Sequence, residues 1–171
     1  MDLKNIKLIV GLGNVGDKYA ITRHNVGFLA ADYLNIAYEG TAWVKKFKGE
    51  VSEIKIGSNK IFLLKPHTFM NLSGQAVIEI MNFYKIAIEE VLVVHDDIDL
   101  PFEEVRIKQG GGNAGHNGLK SISMLCGNDY WRMRIGVGRP QNSKVDVSDY
   151  VLSPFSKKEL EQLLLKFESV F

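Results

Sequence analysis

The sequence predicts an α/β fold built on a mixed β-sheet, and three observations support this. Short apolar runs alternate with segments of helical periodicity along most of the 171 residues. Residues 42–46 and 50–56 instead alternate apolar and polar side chains between glycine turns, which is typical of antiparallel strands. No linker, repeat or low-complexity segment interrupts the chain, and its length suits one core. We therefore expect a single domain over residues 1–171, an α/β sandwich.

The chain is predicted to begin with a buried strand and a helix. Residues 7–10 form a nearly continuous apolar run that ends at Gly11, as expected for a strand buried on both faces. After a glycine-rich turn, residues 25–35 place Phe28 and Tyr33 at helical spacing. The first helix is therefore expected several residues after the glycines.

Three strands are predicted for the middle of the chain. Residues 42–46 and 50–56 alternate apolar with polar side chains, and Gly49 separates them as a turn. Residues 60–65 form a further strand, which Pro66 ends. We expect the first two of these strands to be antiparallel.

Helices and strands alternate again in the second half. Asn71 or Ser73 is expected to cap a helix whose apolar face runs over residues 76–84. Residues 91–94 form the most apolar strand. The remaining predicted elements are a polar edge strand, a helix, an alternating strand and a closing amphipathic helix, at residues 104–108, 117–125, 131–137 and 156–171.

The charge of the chain is balanced overall but uneven locally. Lys and Arg number 21 against 20 Asp and Glu, so a global basic field for nucleic acid is absent. Residues 106–139 nevertheless hold six cations and one acid, a local charge of +5, and follow an acidic cluster. The acids are Asp96, Asp97, Asp99, Glu103 and Glu104. Two solvated faces and a phosphate-contacting patch beside a carboxylate site both remain open.

Composition excludes several classes of protein. No apolar run reaches the roughly 20 residues that span a bilayer, so we expect no contact with a membrane. One cysteine, Cys126, allows neither an internal disulfide nor a cysteine-based zinc site. The first residues resemble neither a signal peptide nor a transit peptide, and we expect a cytoplasmic protein.

The segment Gly11–Gly16 matches the G-x-G-x-x-G pattern of dinucleotide-binding proteins. That pattern also requires a helix that begins inside the glycines and an acid at the end of a second strand. Here the helix begins later, and Asp32, at the right distance, lies within it. We therefore favour two other interpretations of these glycines over a dinucleotide site: a plain turn after the first strand, or a turn that presents Asn14 to a site.

A histidine and a run of acids are the first candidates for chemistry. His24 lies next to a helix start, where a neutral imidazole is favoured, so it is a candidate base. Asp96, after the most apolar strand, is a candidate to orient that imidazole. The same run could instead hold Mg²⁺ through Asp96, Asp97 and Asp99. A lone surface histidine is the simpler alternative.

Three asparagines are expected near the same edge of the sheet. Asn14, Asn71 and Asn117 each precede a helix or follow a strand. Their amides can donate to a carbonyl oxygen and accept from water without titrating, which suits recognition of peptide groups and stabilisation of an oxyanion. Glycines at 110–118 would let the backbone approach a ligand closely beside His116. Plain helix capping is the alternative for Asn71.

Six segments together resemble the bacterial-type peptidyl-tRNA hydrolases. They follow the family's order and span about residues 6–153. Each alone is a weak signal, but six in order are specific. They are GLGNVG at 11–16, TRHNVG at 22–27, FMNLSG at 69–74, HDDIDLP at 95–101, GGGNAGHNGLK at 110–120 and RMRIGVGRP at 132–140. The resemblance implies a three-layer sandwich with a twisted, mainly parallel sheet flanked by helices.

The resemblance implies an esterase that cleaves the bond between a peptide and the 3′ ribose of tRNA, which recycles tRNA after aborted translation. His24 is implied as the base that activates water, and Asp96 as the group that orients it. Asn14 and Asn71 are implied as amides that position the ester. The family needs neither metal nor nucleotide, so no cofactor and no metal are expected.

The resemblance also implies the binding residues. Those for the peptide side are Tyr19, Met70, Asn71, His116 and Asn117. Lys108 and Arg134 are implied to clamp a tRNA phosphate, with Arg106 as a nearby third charge. The expected partner is the acceptor stem and 3′ CCA end of peptidyl-tRNA, without an obligate protein partner. We expect a monomer, because one continuous cleft needs no symmetry mate.

Three other functions are open to the residues alone. An RNA-binding module would use the basic stretch and tolerate His24→Ala. An oxidoreductase using the Gly11 loop would bind NADH. A metal-dependent phosphoesterase using Asp96, Asp97 and Asp99 would lose activity in EDTA.

Overall fold

The structure, a computed structural model, describes residues 2–171 and contains a seven-stranded mixed sheet. The strands are β1 Leu8–Gly11, β2 Val44–Lys46, β3 Gly49–Ile56, β4 Asn59–Pro66, β5 Val91–Asp97, β6 Val105–Gln109 and β7 Trp131–Gly136. The helices are α1 Val26–Ala37, α2 Ser73–Tyr84, α3 Asn117–Cys126, α4 Val147–Val151 and α5 Lys157–Val170. Among the described residues, no helix is long and apolar enough to cross a membrane.

The sheet has a parallel centre and antiparallel margins. Its order is β2-β3-β4-β1-β5-β7-β6. The central strands β4, β1, β5 and β7 run parallel, whereas β2 and β3 on one side and β6 on the other pair antiparallel. The predicted antiparallel region and the edge position of β6 are therefore confirmed.

Helices cover both faces of the sheet, which confirms the three-layer sandwich. Successive residues of the central strands face opposite layers, because side chains alternate along a strand. Leu8 and Val10 pack in a core with α2 and α3. Ile9, between them, packs in a second core with α1 and α5. The continuous apolar run of β1 reflects this burial on both faces.

Two local expectations differ from the structure. Helix α4 was not expected, because five residues are too few to show helical periodicity. The cap predicted for α2 is wrong: Leu72 occupies the N-cap position, and no side chain caps it. A short 3₁₀ turn, Met70–Leu72, leads into the helix, and the Ser73 hydroxyl donates back to the Met70 carbonyl at 2.7 Å.

The carboxyl ends of the parallel strands meet at one edge, and α1 begins against it. A Cβ atom on Gly27 would lie 2.3 Å from the Leu12 nitrogen and 2.4 Å from the Val94 carbonyl oxygen. Only glycine therefore lets the first turn of α1 approach β1 and β5 this closely. The 3₁₀ turn Arg23–Asn25, directly before α1, is held at the same edge.

Candidate active site

A cleft of about 650 Å³ lies beyond the carboxyl ends of β1, β5 and β7. Clefts at this edge of a parallel sheet are the usual ligand sites of α/β proteins. Loops that follow the strands and the short helix α4 form its walls. Lining residues include Asn14, His24, Met70, Asp96, Lys108, His116, Asn117, Arg134, Val147 and Val151.

Asp96 is at the centre of the cleft floor between two histidines. Its Oδ2 atom lies 2.8 Å from His24 Nδ1, and its Oδ1 atom lies 2.8 Å from His116 Nε2. The carboxylate is buried at the end of β5, while His24 reaches it from the turn before α1. His24 and His116, which lie 72 and 20 positions from Asp96 in the sequence, therefore share its carboxylate.

The hydrogen bonds around His116 define its tautomer. Its Nδ1 atom accepts from the backbone nitrogens of Gly118 at 3.1 Å and Leu119 at 3.3 Å, which caps α3. A nitrogen that accepts carries no proton, so His116 Nε2 is the donor to Asp96. His24 donates to Asp96 through Nδ1, and in its neutral form the other nitrogen, Nε2, keeps a lone pair. Among residues 2–171, that Nε2 atom has no hydrogen-bond partner.

The electrostatics of the three groups depend on one another. Burial raises the pKa of Asp96, but the charges and hydrogen bonds of His116 and His24 outweigh it and hold that pKa well below its usual range. Burial lowers the pKa of His24, whereas the Asp96 charge and hydrogen bond raise it; the result lies above the usual 6.5. The expectation that a helix start keeps His24 neutral is therefore wrong in sign, because the carboxylate at 2.8 Å is the stronger influence.

His95 is a further buried histidine beside this group. Burial and the nearby His116 lower its pKa to about 4, so it is neutral near pH 7. Its Nδ1 atom donates to the Asp96 carbonyl at 2.8 Å, and its Nε2 atom is buried without a partner. His95 lies edge-on to the His116 ring, with 5.3 Å between centroids.

Asn14 lies in the cleft because Asn25 holds its backbone. The Asn25 side chain accepts from the Asn14 nitrogen at 2.8 Å and donates to the Asn14 carbonyl at 2.9 Å. Asn25 is buried, and its reciprocal pair fixes the loop after β1. Sequence reasoning gave Asn25 no role, although its place beside His24 was a signal.

The remaining amide and apolar candidates divide between two cavities. Met70 and Asn117 line the main cleft with His24. Asn117 also lines a second, shallower cavity between α2 and α3, and Asn71 lies there instead of in the main cleft. Tyr19, in the glycine-rich turn after β1, is half-buried and lines neither cavity.

The cations of the basic stretch have different surroundings. Lys108 and Arg134 line the cleft, and Arg134 donates to Asp97 at 2.8 Å. Arg106 lies outside the cleft and pairs with Glu104 at 2.6 Å. Arg132 is buried and is not a surface charge. Its guanidinium binds the carbonyls of Gly111 and Gly112 and the side chains of Asn113 and Asn128, which holds the glycine-rich loop in place.

A Mg²⁺ site made from the three neighbouring aspartates does not fit these contacts. Asp97 binds Arg134, Asp99 binds Arg139, and Asp96 binds the two histidines. His24, Asp96 and His116 do offer ligand atoms within 4.8 Å of one another. A metal on His116 Nε2 would, however, move that ring's proton to Nδ1, where it would face the two backbone N–H groups that cap α3.

The glycine-rich turn lacks the other parts of a dinucleotide site. A 3₁₀ turn, Asp17–Tyr19, follows the glycines, and α1 begins only at Val26. Asp32, the candidate acid for a ribose, binds Lys65 at 2.6 Å. No helix start therefore faces a pyrophosphate in this loop.

Comparisons with known proteins agree on one family. The family model described as peptidyl-tRNA hydrolase matches residues 8–170. The chain is 53% identical to a peptidyl-tRNA hydrolase of Methylobacterium nodulans over 154 residues, 90% of this chain and 75% of that protein. It is also 53% identical to one from Rickettsia bellii over 153 residues, 89% of this chain and 82% of the relative.

A solved structure agrees with the sequence matches. The crystal structure of peptidyl-tRNA hydrolase from Acinetobacter baumannii superposes with a TM-score of 0.86 at 40% identity, and covers 96% of this chain and 83% of the other. Sequence and fold thus point to the same relatives over nearly the whole chain. The chain belongs to the peptidyl-tRNA hydrolase family.

Proposed function

We propose that this enzyme hydrolyses the ester between the carboxyl end of a peptide and the 3′ ribose of tRNA, releasing free peptide and reusable tRNA. Family membership supports the reaction. The observation that carries the mechanism is the His24–Asp96 pair on the cleft floor, with Nδ1 bound at 2.8 Å and Nε2 left without a partner.

His24 Nε2 is the base that removes a proton from water as the water oxygen attacks the ester carbonyl. The bond from the carbonyl carbon to the ribose 3′ oxygen then breaks, and the His24 imidazolium returns the proton to that oxygen. Asp96 holds the ring in the tautomer that leaves Nε2 free, and stabilises the imidazolium formed during the step. His116 keeps the carboxylate in place from its other side. General-base catalysis of this kind contributes about 10²- to 10⁴-fold.

Amides of the cleft stabilise the negative charge that develops on the ester oxygen. Asn14 is positioned for this by its backbone pair with Asn25, and Asn117, the first residue of α3, lines the same cleft. A donor of this type is worth about 10²- to 10³-fold in rate. Asn71, in the adjoining cavity, and Met70, in the main cleft, contact the peptide side of the substrate. Tyr19, which lines neither cavity, contacts the peptide where it extends beyond the cleft.

The β6–β7 side of the cleft receives the tRNA. Lys108 and Arg134 contact a backbone phosphate near the acceptor end, and Arg106 adds a charge at the margin. Contacts to phosphates carry no base sequence, which suits an enzyme that accepts many tRNAs. The proposed groups share one continuous cleft, which supports a monomer as the active unit.

The proposed function is tested by the release of N-acetyl-amino acid from N-acetyl-aminoacyl-tRNA, in the presence and absence of EDTA. We expect equal cleavage in both, because the proposed step uses no metal. Loss of cleavage in EDTA that added divalent ion restores, with a tRNA kept folded by monovalent salt, would show that a metal takes part. Absence of cleavage by folded protein in either condition would contradict the proposed reaction.

A further inference from the structure

Arg23 joins the turn that carries His24 to the last part of the chain. Its Nη1 atom donates to the Ser153 carbonyl at 3.1 Å, the Ser153 hydroxyl at 2.7 Å and the Pro154 carbonyl at 2.9 Å. Its Nη2 atom forms an ion pair with Glu159 at 3.3 Å, in the first turn of α5. One guanidinium therefore holds the segment between α4 and α5.

Packing and backbone contacts make this connection firm. The Arg23 side chain is only 12% exposed, and its Cζ atom lies 4.7 Å from the ring centroid of Tyr150 and 5.3 Å from that of Phe155. The Arg23 nitrogen donates to the Ser153 carbonyl at 3.1 Å, and the Phe155 nitrogen donates to the Ile21 carbonyl at 2.8 Å. Residues 21–23 and 153–155 thus form a short antiparallel pair.

The same segment supports a wall of the cleft. Helix α4 ends just before Ser153, and Val147, Ser148, Val151 and Leu152 line the cleft with His24. The Tyr150 hydroxyl donates to the Val137 carbonyl at 2.7 Å, which attaches α4 to the chain after β7. Arg23 is adjacent in sequence to His24, so a shift of this wall is transmitted to the backbone that carries the base.

We propose that Arg23 is a positioning residue, which fixes the His24 imidazole against Asp96 by anchoring its backbone to the α4 wall of the cleft. The proposal rests on the proposed function of His24 as the base. Arg23 itself touches neither Asp96 nor the ring of His24; it acts through the chain. The multidentate geometry explains why arginine is needed, since the two ends of its fork bind the 153–154 segment and Glu159 at the same time, whereas a lysine ammonium is a single point charge.

A positioning role and a merely structural role have different consequences. If Arg23 only stabilises the fold, its loss lowers the melting temperature and leaves the folded enzyme fully active. If it positions His24, the folded variant loses kcat while KM for N-acetyl-aminoacyl-tRNA changes little. A displacement near 1 Å in a reacting group is worth about 10²-fold in rate, so we expect kcat to fall about 10- to 100-fold in Arg23→Gln.

The experiment compares Arg23→Gln and Arg23→Lys with the wild type, at a temperature where circular dichroism shows each to be folded. Two quantities are measured: kcat and KM for N-acetyl-aminoacyl-tRNA, and the NMR titration of the ring protons of the four histidines. In Arg23→Gln we expect His24 to titrate at lower pH than in the wild type, because its contact with Asp96 loosens. Arg23→Lys should recover part of kcat. His67, bound to Glu50 outside the cleft, serves as the unchanged reference signal.

Lys7→Gln is the control, because it also removes an ion pair, the one with Glu90. Lys7 lies directly before β1, at the end of the parallel strands opposite to the cleft. It should leave kcat and the His24 titration unchanged. If Arg23→Gln does not fold, the double variant Ser153→Ala/Glu159→Gln takes its place, because it removes the hydroxyl acceptor and the negative charge that the same guanidinium binds. Wild-type kcat and a wild-type His24 titration in a folded variant would overturn the proposal.

Failure of the proposed function has a different signature. It would be seen as absence of hydrolysis by the wild type, or as full activity of His24→Ala. The NMR titration needs no substrate, so it decides the positioning claim even in that case.

Discussion

The buried carboxylate of Asp96 accepts one hydrogen bond on each oxygen, from two different imidazoles. An ionised carboxylate is costly to bury unless it is paired in this way. The arrangement makes His24 a stronger base and leaves its Nε2 atom free in the cleft. Because the His24 pKa is raised, a higher pH is needed to leave Nε2 unprotonated than for a free imidazole.

This coupling predicts how Asp96→Asn changes the pH dependence of hydrolysis. In the wild type, kcat/KM should rise with pH through a His24 pKa above 6.5 and then level off. Asparagine carries no charge, so in the variant the His24 pKa falls and the rising limb moves to lower pH. The plateau should drop about 10²-fold or more, because the amide no longer stabilises the imidazolium. If kcat/KM of Asp96→Asn rises over the same pH range as in the wild type, this rise does not report the ionisation of His24.

Buried His95 makes the fold sensitive to acid. Its pKa is about 4 in the folded protein and 6.5 in the unfolded chain. Because folding lowers this pKa, neutral His95 contributes about 3 kcal/mol to the free energy of unfolding relative to acid pH. This contribution is complete above pH 6.5 and is lost as the pH falls towards 4. In His95→Asn, which keeps a donor for the Asp96 carbonyl, the free energy of unfolding should decline less between pH 6.5 and 4. Urea unfolding across that range measures the slope, and an unchanged slope would contradict the account.

At the level of elements, the approach of α1 to the sheet positions His24. We expect Gly27→Ala to lower the free energy of unfolding by about 3 kcal/mol, because its methyl group would lie within 2.6 Å of three backbone atoms. Gly112→Ala is the matched control for stability, since a Cβ there meets nothing within 4 Å. Urea unfolding of both variants checks this, and equal stabilities would show that the close approach is not needed.

Much of the fold was predictable because its elements carry strong local patterns. The apolar run of β1 and the alternation in β3 and β7 each match an observed strand within one or two residues. Helix α4 was not predictable, because it is short and its Tyr150 is held by Val137 and Arg23 from elsewhere in the chain. Tertiary contacts of this kind leave no periodic signal.

The candidate site was predictable only in part, for a similar reason. His24 and Asp96 were candidates because each lies beside a strand end or a helix start. The bond from His116 to Asp96 was not expected, because it depends on how the glycine-rich loop folds back. Arg132, one of the six cations counted in residues 106–139, is buried beneath that loop, where backbone carbonyls accept its hydrogen bonds in place of water. Residue type shows which charges exist, and only the fold shows which face solvent.

For the whole molecule, the cleft divides into a chemical centre and a cationic side. Lys108 lines the cleft, and among residues 2–171 it forms no ion pair; a Cβ atom on Gly111 would lie 2.5 Å from its Nζ atom, so it rests on the glycine-rich loop. Lys108→Gln should raise KM for N-acetyl-aminoacyl-tRNA and reduce the slope of log(kcat/KM) against log salt by about 1. Arg106→Gln should have a smaller effect, because Glu104 already pairs with it. A salt dependence that is the same in Lys108→Gln and the wild type would exclude Lys108 from the phosphate contact.

The central claim is that His24, held by Asp96, is the base for ester hydrolysis. The most direct test is kcat/KM of His24→Asn for N-acetyl-aminoacyl-tRNA, with His67→Asn as the control histidine outside the cleft. We expect a loss of about 10²- to 10⁴-fold in His24→Asn and wild-type activity in His67→Asn. Retention of wild-type kcat/KM by a folded His24→Asn would contradict the claim.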